Sequence, residues 1–273
     1  MSSLKIGRDY EVWLKDTLEA LYASYNKREF VKPDPLQFLY NYHDPLDQEI
    51  VGIIAATLAY GRVKQILTSV ERILHPLGDC PRETLLGLED KGLLRLYSGF
   101  KHRFHKGEDC ATLLLNVRKL IDIYGTLGRA LRYGIDTHQG DFIKGASWFV
   151  DRLVQGGRGG FMFPNPSRGS ASKRLFLYLR WMIRKDEVDL GCWHGLFSPE
   201  DLIIPLDTHL FKVSKALGFT KRRVPDLKAA MEVTSCFKKI CPEDPVRYDF
   251  VLTRFGINPK FSEEALLCLL ERS

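Results

Sequence analysis

The sequence predicts an all-α protein, and three observations carry that prediction. Apolar side chains recur at helical spacing in four separate segments. Runs of alternating β-branched residues are almost absent. Residues suited to helix ends flank the segments: Ser170 or Ser172 before one, Asp207 before another, Gly218 after it.

Along the chain, Leu46, Ile50, Ile53, Ile54 and Leu58 make the first apolar helix face. Leu113, Val117, Leu120, Ile121 and Tyr124 repeat the pattern. Phe142, Ala146, Phe149, Val150 and Leu153 make another helix. Leu206, Leu210, Val213 and Leu217 form a fourth, which Gly218 should stop. In all, about ten to thirteen helices are expected. Pro76 to Pro81 reads as a turn from its proline and glycine content. Gln155 to Ser172, holding QGGRGG and then FMFPNPSRGSAS, is a long connection of the kind that often carries function. QGGRGG lacks the residue order of a phosphate-binding loop and reads as a flexible connection.

The 273 residues suffice for one large domain or two small ones. Apolar residues make up 45% and charged residues 27%, which excludes a disordered or collagen-like chain. Such a chain buries about 75% of its unfolded surface and needs no disulfide or metal staple. The net charge of +6 is compatible with a polyanionic partner. The longest uncharged apolar run, Ile50 to Tyr60, is shorter than the roughly 20 residues of a spanning helix. The opening Met1-Ser2-Ser3-Leu4-Lys5 has no signal-peptide core, so a cytoplasmic protein without a membrane partner is expected. Cys80, Cys110, Cys192, Cys236, Cys241 and Cys268 are scattered and expected to be reduced and structural. Their spacing does not suit an iron–sulfur cluster. His102 and His105, with Asp109 nearby, are not a known zinc ligand set; Arg103 and His105 are alternative DNA or base contacts.

The informative chemistry lies in the C-terminal half. Ser170 to Leu175 opens a helix and places Lys173 in its first turn. There the helix dipole disfavours a cation, and Arg168, Arg174 and Lys185 add positive charge nearby in sequence. Both effects favour the neutral, nucleophilic amine. Read alone, the simplest role for Lys173 is a solvated surface lysine. Asp207 follows 34 residues later, delivered by an apolar run to the start of an amphipathic helix. Its simplest role is an N-cap. A carboxylate held by backbone N–H groups also stays ionised and oriented, ready to face positive charge on a substrate.

The string PLDTHLFKVSKALGF around Asp207 resembles the VDTH(I/V)xRVxxRLG segment of the helix-hairpin-helix DNA glycosylases, the superfamily of endonuclease III. The resemblance puts Asp207 in the place of that family's catalytic aspartate. Lys173, just after Arg168-Gly169-Ser170-Ala171-Ser172, resembles the catalytic lysine of the bifunctional members. Asp244 to Gly256 resembles a later helix, which a small residue ends where it packs on the site. More loosely, Asp44 to Val63 resembles the early helix and the loop that inserts a wedge into DNA, with Tyr60 or Arg62 as the wedge. On the residues alone, Tyr60 is equally a core side chain.

Three departures are visible. The hairpin reads F-P-N-P-S-R-G-S-A-S-K in place of L-P-G-V-G-x-K, so its phosphate contact is altered. The lysine-to-aspartate gap is lengthened by about 14 residues around Lys185 to Glu200. The C-terminal iron–sulfur loop of endonuclease III is missing. The archaeal 8-oxoguanine glycosylases share the altered hairpin and longer gap, and this chain is most similar to them. A place in a prokaryotic family of unknown function is expected.

The resemblance implies one two-lobed helical unit over residues 1–273, with lobes near 30–155 and 156–273 plus the N-terminal helix, and a cleft between them. It implies a bifunctional glycosylase and AP lyase for base excision repair, without cofactor or metal, monomeric and associated with the nucleoid. The expected partner is double-stranded DNA with a damaged base, an oxidised purine such as 8-oxoguanine. Lys173 and Asp207 are the catalytic candidates. DNA-binding candidates are Tyr60, Arg62, Lys64, Arg158, Arg168, Gly169, Ser170 and Ser172. Phe161, Phe163, Trp181 and Trp193 are the candidates for stacking on the base. A noncatalytic helical DNA-binding protein is the alternative, and an RNA-directed or small-molecule enzyme a third reading.

Overall fold

Helix follows helix in the computed structural model, which describes residues 8–156, 162–257 and 262–270. The first half holds α1 (Arg8–Tyr25), α2 (Pro45–Leu58), α3 (Val63–Leu74), α4 (Pro81–Gly87), α5 (Asp90–Leu96), α6 (Gly107–Tyr124), α7 (Leu127–Thr137) and α8 (Phe142–Leu153). A two-stranded hairpin, β1 (Lys101–His102) and β2 (His105–Lys106), precedes α6. The second half holds α9 (Lys173–Ile183), α10 (Thr208–Ala216), α11 (Leu227–Ile240), α12 (Asp249–Ile257) and α13 (Glu263–Leu270). The protein is therefore mostly helical, with strand confined to that short hairpin among the described residues.

The helices begin where side chains can satisfy their free N–H groups. Asp44 accepts from Leu46 N before α2, Thr126 from Arg129 N before α7, and Asp141 from Lys144 N before α8. Asp207 and Asp226 do the same for α10 and α11. Gly218, at φ +72°, follows α10 as expected for a left-handed stop.

The centre of the molecule is α2. Its residues from Asp47 to Leu58 are all buried, because α3, α4, α9 and the 3-10 turn Pro35–Asn41 pack around it. The apolar face expected from periodicity is thus only part of a helix buried all round. α9 approaches at Gly52, where an added Cβ would lie 2.8 Å from Met182 Cε. Tyr178 of α9 donates to the Glu49 carbonyl of α2 at 3.1 Å. The Glu49 carboxylate accepts from Leu127 N at the start of α7 and from Trp193 Nε1 at 3.0 Å.

The segment after α9 folds back onto the core. Gly191 N donates to Trp181 O and Trp193 N to Met182 O. Beneath it lies a buried charge network. Arg180 binds Asp189 and Asp249, while Arg184 binds Asp186, Asp189 and Asp244. Each guanidinium is shared, so its desolvation is offset by several charge-assisted bonds. α1 closes over this half: Tyr22 and Asn26 donate to Asp186, and Arg247 and Tyr248 donate to Glu19.

Candidate active site

The first wall of the site is the start of α9. Asn165 turns the chain ahead of it, accepting from Ser167 N and donating to Ser147 O and the Asp151 carboxylate. Gly169 follows at φ +81°, a conformation that suits glycine. Its carbonyl accepts from Leu227 N, so the loop is docked on the start of α11. Ser172, at φ +44°, occupies the N-cap position in the left-handed region disfavoured for a side-chain-bearing residue. Its hydroxyl donates to Pro164 O at 2.6 Å and makes no cap bond, contrary to the expected capping role; Ser170 Oγ instead accepts from Ser172 N at 3.1 Å. The kink releases Lys173 from the loop as the first residue of α9.

The second wall is the start of α10. The two oxygens of Asp207 divide their work. Oδ1 accepts from Leu210 N at 2.8 Å and caps the helix. Oδ2 stands 3.2 Å from Lys173 Nζ. The Asp207 side chain is 9% exposed and that of Lys173 35%, so the pair is screened on the carboxylate side and open on the amine side. Capping and an ion pair with Lys173 therefore coexist in one side chain.

A cavity of about 630 Å³ opens beside this pair. Pro33, Pro35, Pro164 and Pro225 give it flat apolar surfaces, and Tyr60 and His209 contribute rings. Gly256 lies behind His209: an added Cβ would meet the imidazole at 2.4 Å. Gly256 thus lets α12 press against the first turn of α10. Below, Asp249 is fully buried and donor-bonded only through Arg180. Burial pushes its carboxyl up to about 6; Arg180 opposes this and Asp207 adds to it.

Tyr60 is half-buried at the cavity wall, and its hydroxyl meets His102 O and His105 Nδ1. The guanidinium of Arg174, which also donates to Thr57 O, lies 4.7 Å from its ring centre. Burial, then the Arg174 charge, drives the His105 imidazole down to about 4, so it is neutral near pH 7. His102 Nδ1 pairs with Ser69 Oγ at 2.8 Å. Both rings are engaged within the protein, and His105 is buried away from any DNA or base.

The other candidates separate into groups. Arg62, Lys64, Arg168 and Gly169 are exposed; Ser170 and the buried Ser172 line the cavity. Phe163, Trp181 and Trp193 do not line it. Phe163 and Trp181 are wholly buried, and Trp193 donates to Glu49 and meets Tyr178 edge-on and Phe197 at a tilt. Their apolar area belongs to the core, which corrects the expectation that they stack on a base. Lys185 lines a separate pocket with Arg28 and Tyr40, away from Lys173. Arg158 and Phe161 lie outside the described residues. Sequence reasoning missed His209 as a wall residue and Phe104 as an exposed aromatic; the GED-flanked string KHRFHK held the second in plain view.

Among the described residues no group of three His, Cys, Asp or Glu side chains could hold a metal ion, and no helix is long and apolar enough to cross a membrane. Fold and site define a mostly helical protein with a lysine–aspartate pair beside a central cavity. The chain matches the family described as "Protein of unknown function (DUF2400)" over residues 34–258, and it belongs to that family. No curated protein and no solved structure matches it.

Proposed function

We propose that this chain is a bifunctional DNA glycosylase and AP lyase that removes a damaged base from duplex DNA. The single observation that carries the reading is the 3.2 Å pair of Lys173 and Asp207 beside a cavity of about 630 Å³. Each partner starts a helix, and the two lie in the order the glycosylase resemblance requires.

The damaged nucleotide leaves the stack, at a cost of a few kcal/mol, and its base enters the cavity. Flat proline surfaces and the rings of Tyr60 and His209 suit a planar base better than a flexible substrate. An oxidised purine is the class proposed. As the C1′–N bond breaks, its electron pair leaves on the base, and Asp207 stabilises the positive charge growing on the sugar. Lys173, having passed a proton to the departing base, forms the new bond at C1′. Ring opening gives an imine, and β-elimination then breaks the 3′ C–O bond. Arg62, Lys64 and Arg168 are the phosphate contacts in this reading.

The test is borohydride trapping on duplexes carrying 8-oxoguanine, uracil, an abasic site or no lesion. A covalent adduct on the 8-oxoguanine duplex is expected, absent in Lys173→Gln. Asp207→Asn should slow base release at least a hundredfold, the size of a lost charge-stabilising contact, while an abasic duplex still traps Lys173. No adduct on any duplex would remove the lyase half of the proposal.

A further inference from the structure

The hairpin β1–β2 packs through Arg103 on Tyr60 and Gly61, two residues of the cavity wall. Its two turn residues are Arg103 and Phe104, between the paired His102 and His105. Arg103 has φ +52°, in the left-handed region where glycine is favoured. Phe104 beside it is 75% exposed, more than any other large apolar side chain among the described residues. The exposed Lys101 and Lys106 sit directly opposite each other, an arrangement that like charge disfavours. Within 101–106 there are three cations and no acid. Strain, an exposed aromatic and unbalanced charge meet in one short element, and such outliers cluster where function requires them.

The base of the hairpin, by contrast, is anchored. His102 and His105 are buried, held by Ser69 and Tyr60. Arg103 packs over Gly61, where an added Cβ would lie 2.8 Å from its Nη1. Its guanidinium is 5.7 Å from the ring centre of Tyr60 and 5.6 Å from that of Phe104. One guanidinium therefore separates the cavity wall from the exposed ring. Tyr60, pinned by two histidines and flanked by Arg174, has little freedom to leave the wall.

We propose that the hairpin tip is the element that enters duplex DNA, with Phe104 stacking in the gap beside the extruded nucleotide and Lys101, Arg103 and Lys106 meeting the flanking phosphates. This moves the wedge from the loop holding Tyr60 and Arg62 to Phe104, and it rests on the reading of the cavity as a glycosylase site. An aromatic ring suits a base stack because every base offers a π-face, and side-chain wedges of this kind open base steps in other DNA-binding proteins. The three cations supply the charge complementarity that a protein partner of ordinary composition would lack.

The experiment measures binding of the full chain to two duplexes, one intact and one with a tetrahydrofuran abasic analogue beside a 2-aminopurine. The native protein should prefer the abasic duplex and raise the 2-aminopurine fluorescence as the step opens. Phe104→Ala should weaken the abasic complex about tenfold, abolish the fluorescence rise and leave the intact-duplex affinity unchanged. Phe104→Trp should restore both. Because Phe104 is exposed, neither variant threatens the fold. Equal behaviour of Phe104→Ala and the native protein overturns the proposal, as does absence of DNA binding. If Phe104→Ala loses the preference but no damaged duplex is trapped by borohydride or loses its base, the wedge stands and the glycosylase reading fails. If trapping succeeds and Phe104→Ala changes nothing, the wedge alone fails.

Discussion

At Asp207 a single carboxylate caps α10 and pairs with Lys173, and the two contacts separate by oxygen atom. Replacement by asparagine keeps an acceptor for Leu210 N but loses the charge facing Lys173. Asp207→Asn should therefore lose activity with little loss of stability, whereas Asp207→Ala should lose both. A missing N-cap costs about 1 kcal/mol, readable as a lower midpoint in urea. His105 makes a second prediction. Its folded value lies near 4, below the ordinary 6.5, because burial and Arg174 disfavour the imidazolium. The unfolded chain then binds a proton that the folded chain refuses. Stability is present above pH 6.5 and is lost as pH falls toward 4. His105→Gln should flatten the fall in melting temperature across that window.

Helix contacts turn on glycines whose role is invisible until partners are placed. α7 and α8 meet at Gly145, where a Cβ would lie 2.7 Å from the Ile135 backbone. Backbone cannot step aside as a long side chain can, so Gly145→Ala should destabilise by about 1–3 kcal/mol, checked by chemical denaturation. Gly256 makes a similar contact, but with the His209 ring at the cavity wall. Gly256→Ala should disturb the start of α10 and reduce the proposed base release by more than its effect on stability implies. The helices themselves are legible from periodicity: the expected segment Phe142 to Leu153 is α8, and Leu46 to Leu58 falls on α2. The hairpin β1–β2 was not legible, because two-residue strands carry no alternation to read.

For the whole molecule, the excess of 40 lysine and arginine over 34 aspartate and glutamate understates the charge available to a partner. Arg180 and Arg184 are buried and neutralised by aspartates, and those same aspartates are withdrawn from the surface. The remaining exposed cations include Arg62, Lys64, Lys101, Arg103, Lys106 and Arg168. If about five of them meet phosphates, the log of the affinity for intact duplex should fall with the log of salt at a slope near −4.5. Removing Lys101 and Lys106 together should reduce that slope by about two contacts' worth, measured by titration between low and moderate salt. A slope near zero would mean that no phosphates are contacted and would overturn this prediction.

The sequence by itself determined the helical class, the caps at Asp207 and Gly218, and the candidacy of Lys173 and Asp207. Each of these rests on interactions between residues a few positions apart, which local spacing records. Tertiary structure alone decided that Lys173 and Asp207 meet across a separation of 34 residues. It also decided which aromatics are core: Trp181, Phe163 and Trp193 look no different in sequence from Phe104, yet only Phe104 reaches solvent. The physical reason is the same in both cases. A side chain's environment is set by neighbours that chain packing brings from distant segments, and an aromatic ring or a charged group carries no local mark of which neighbours those will be.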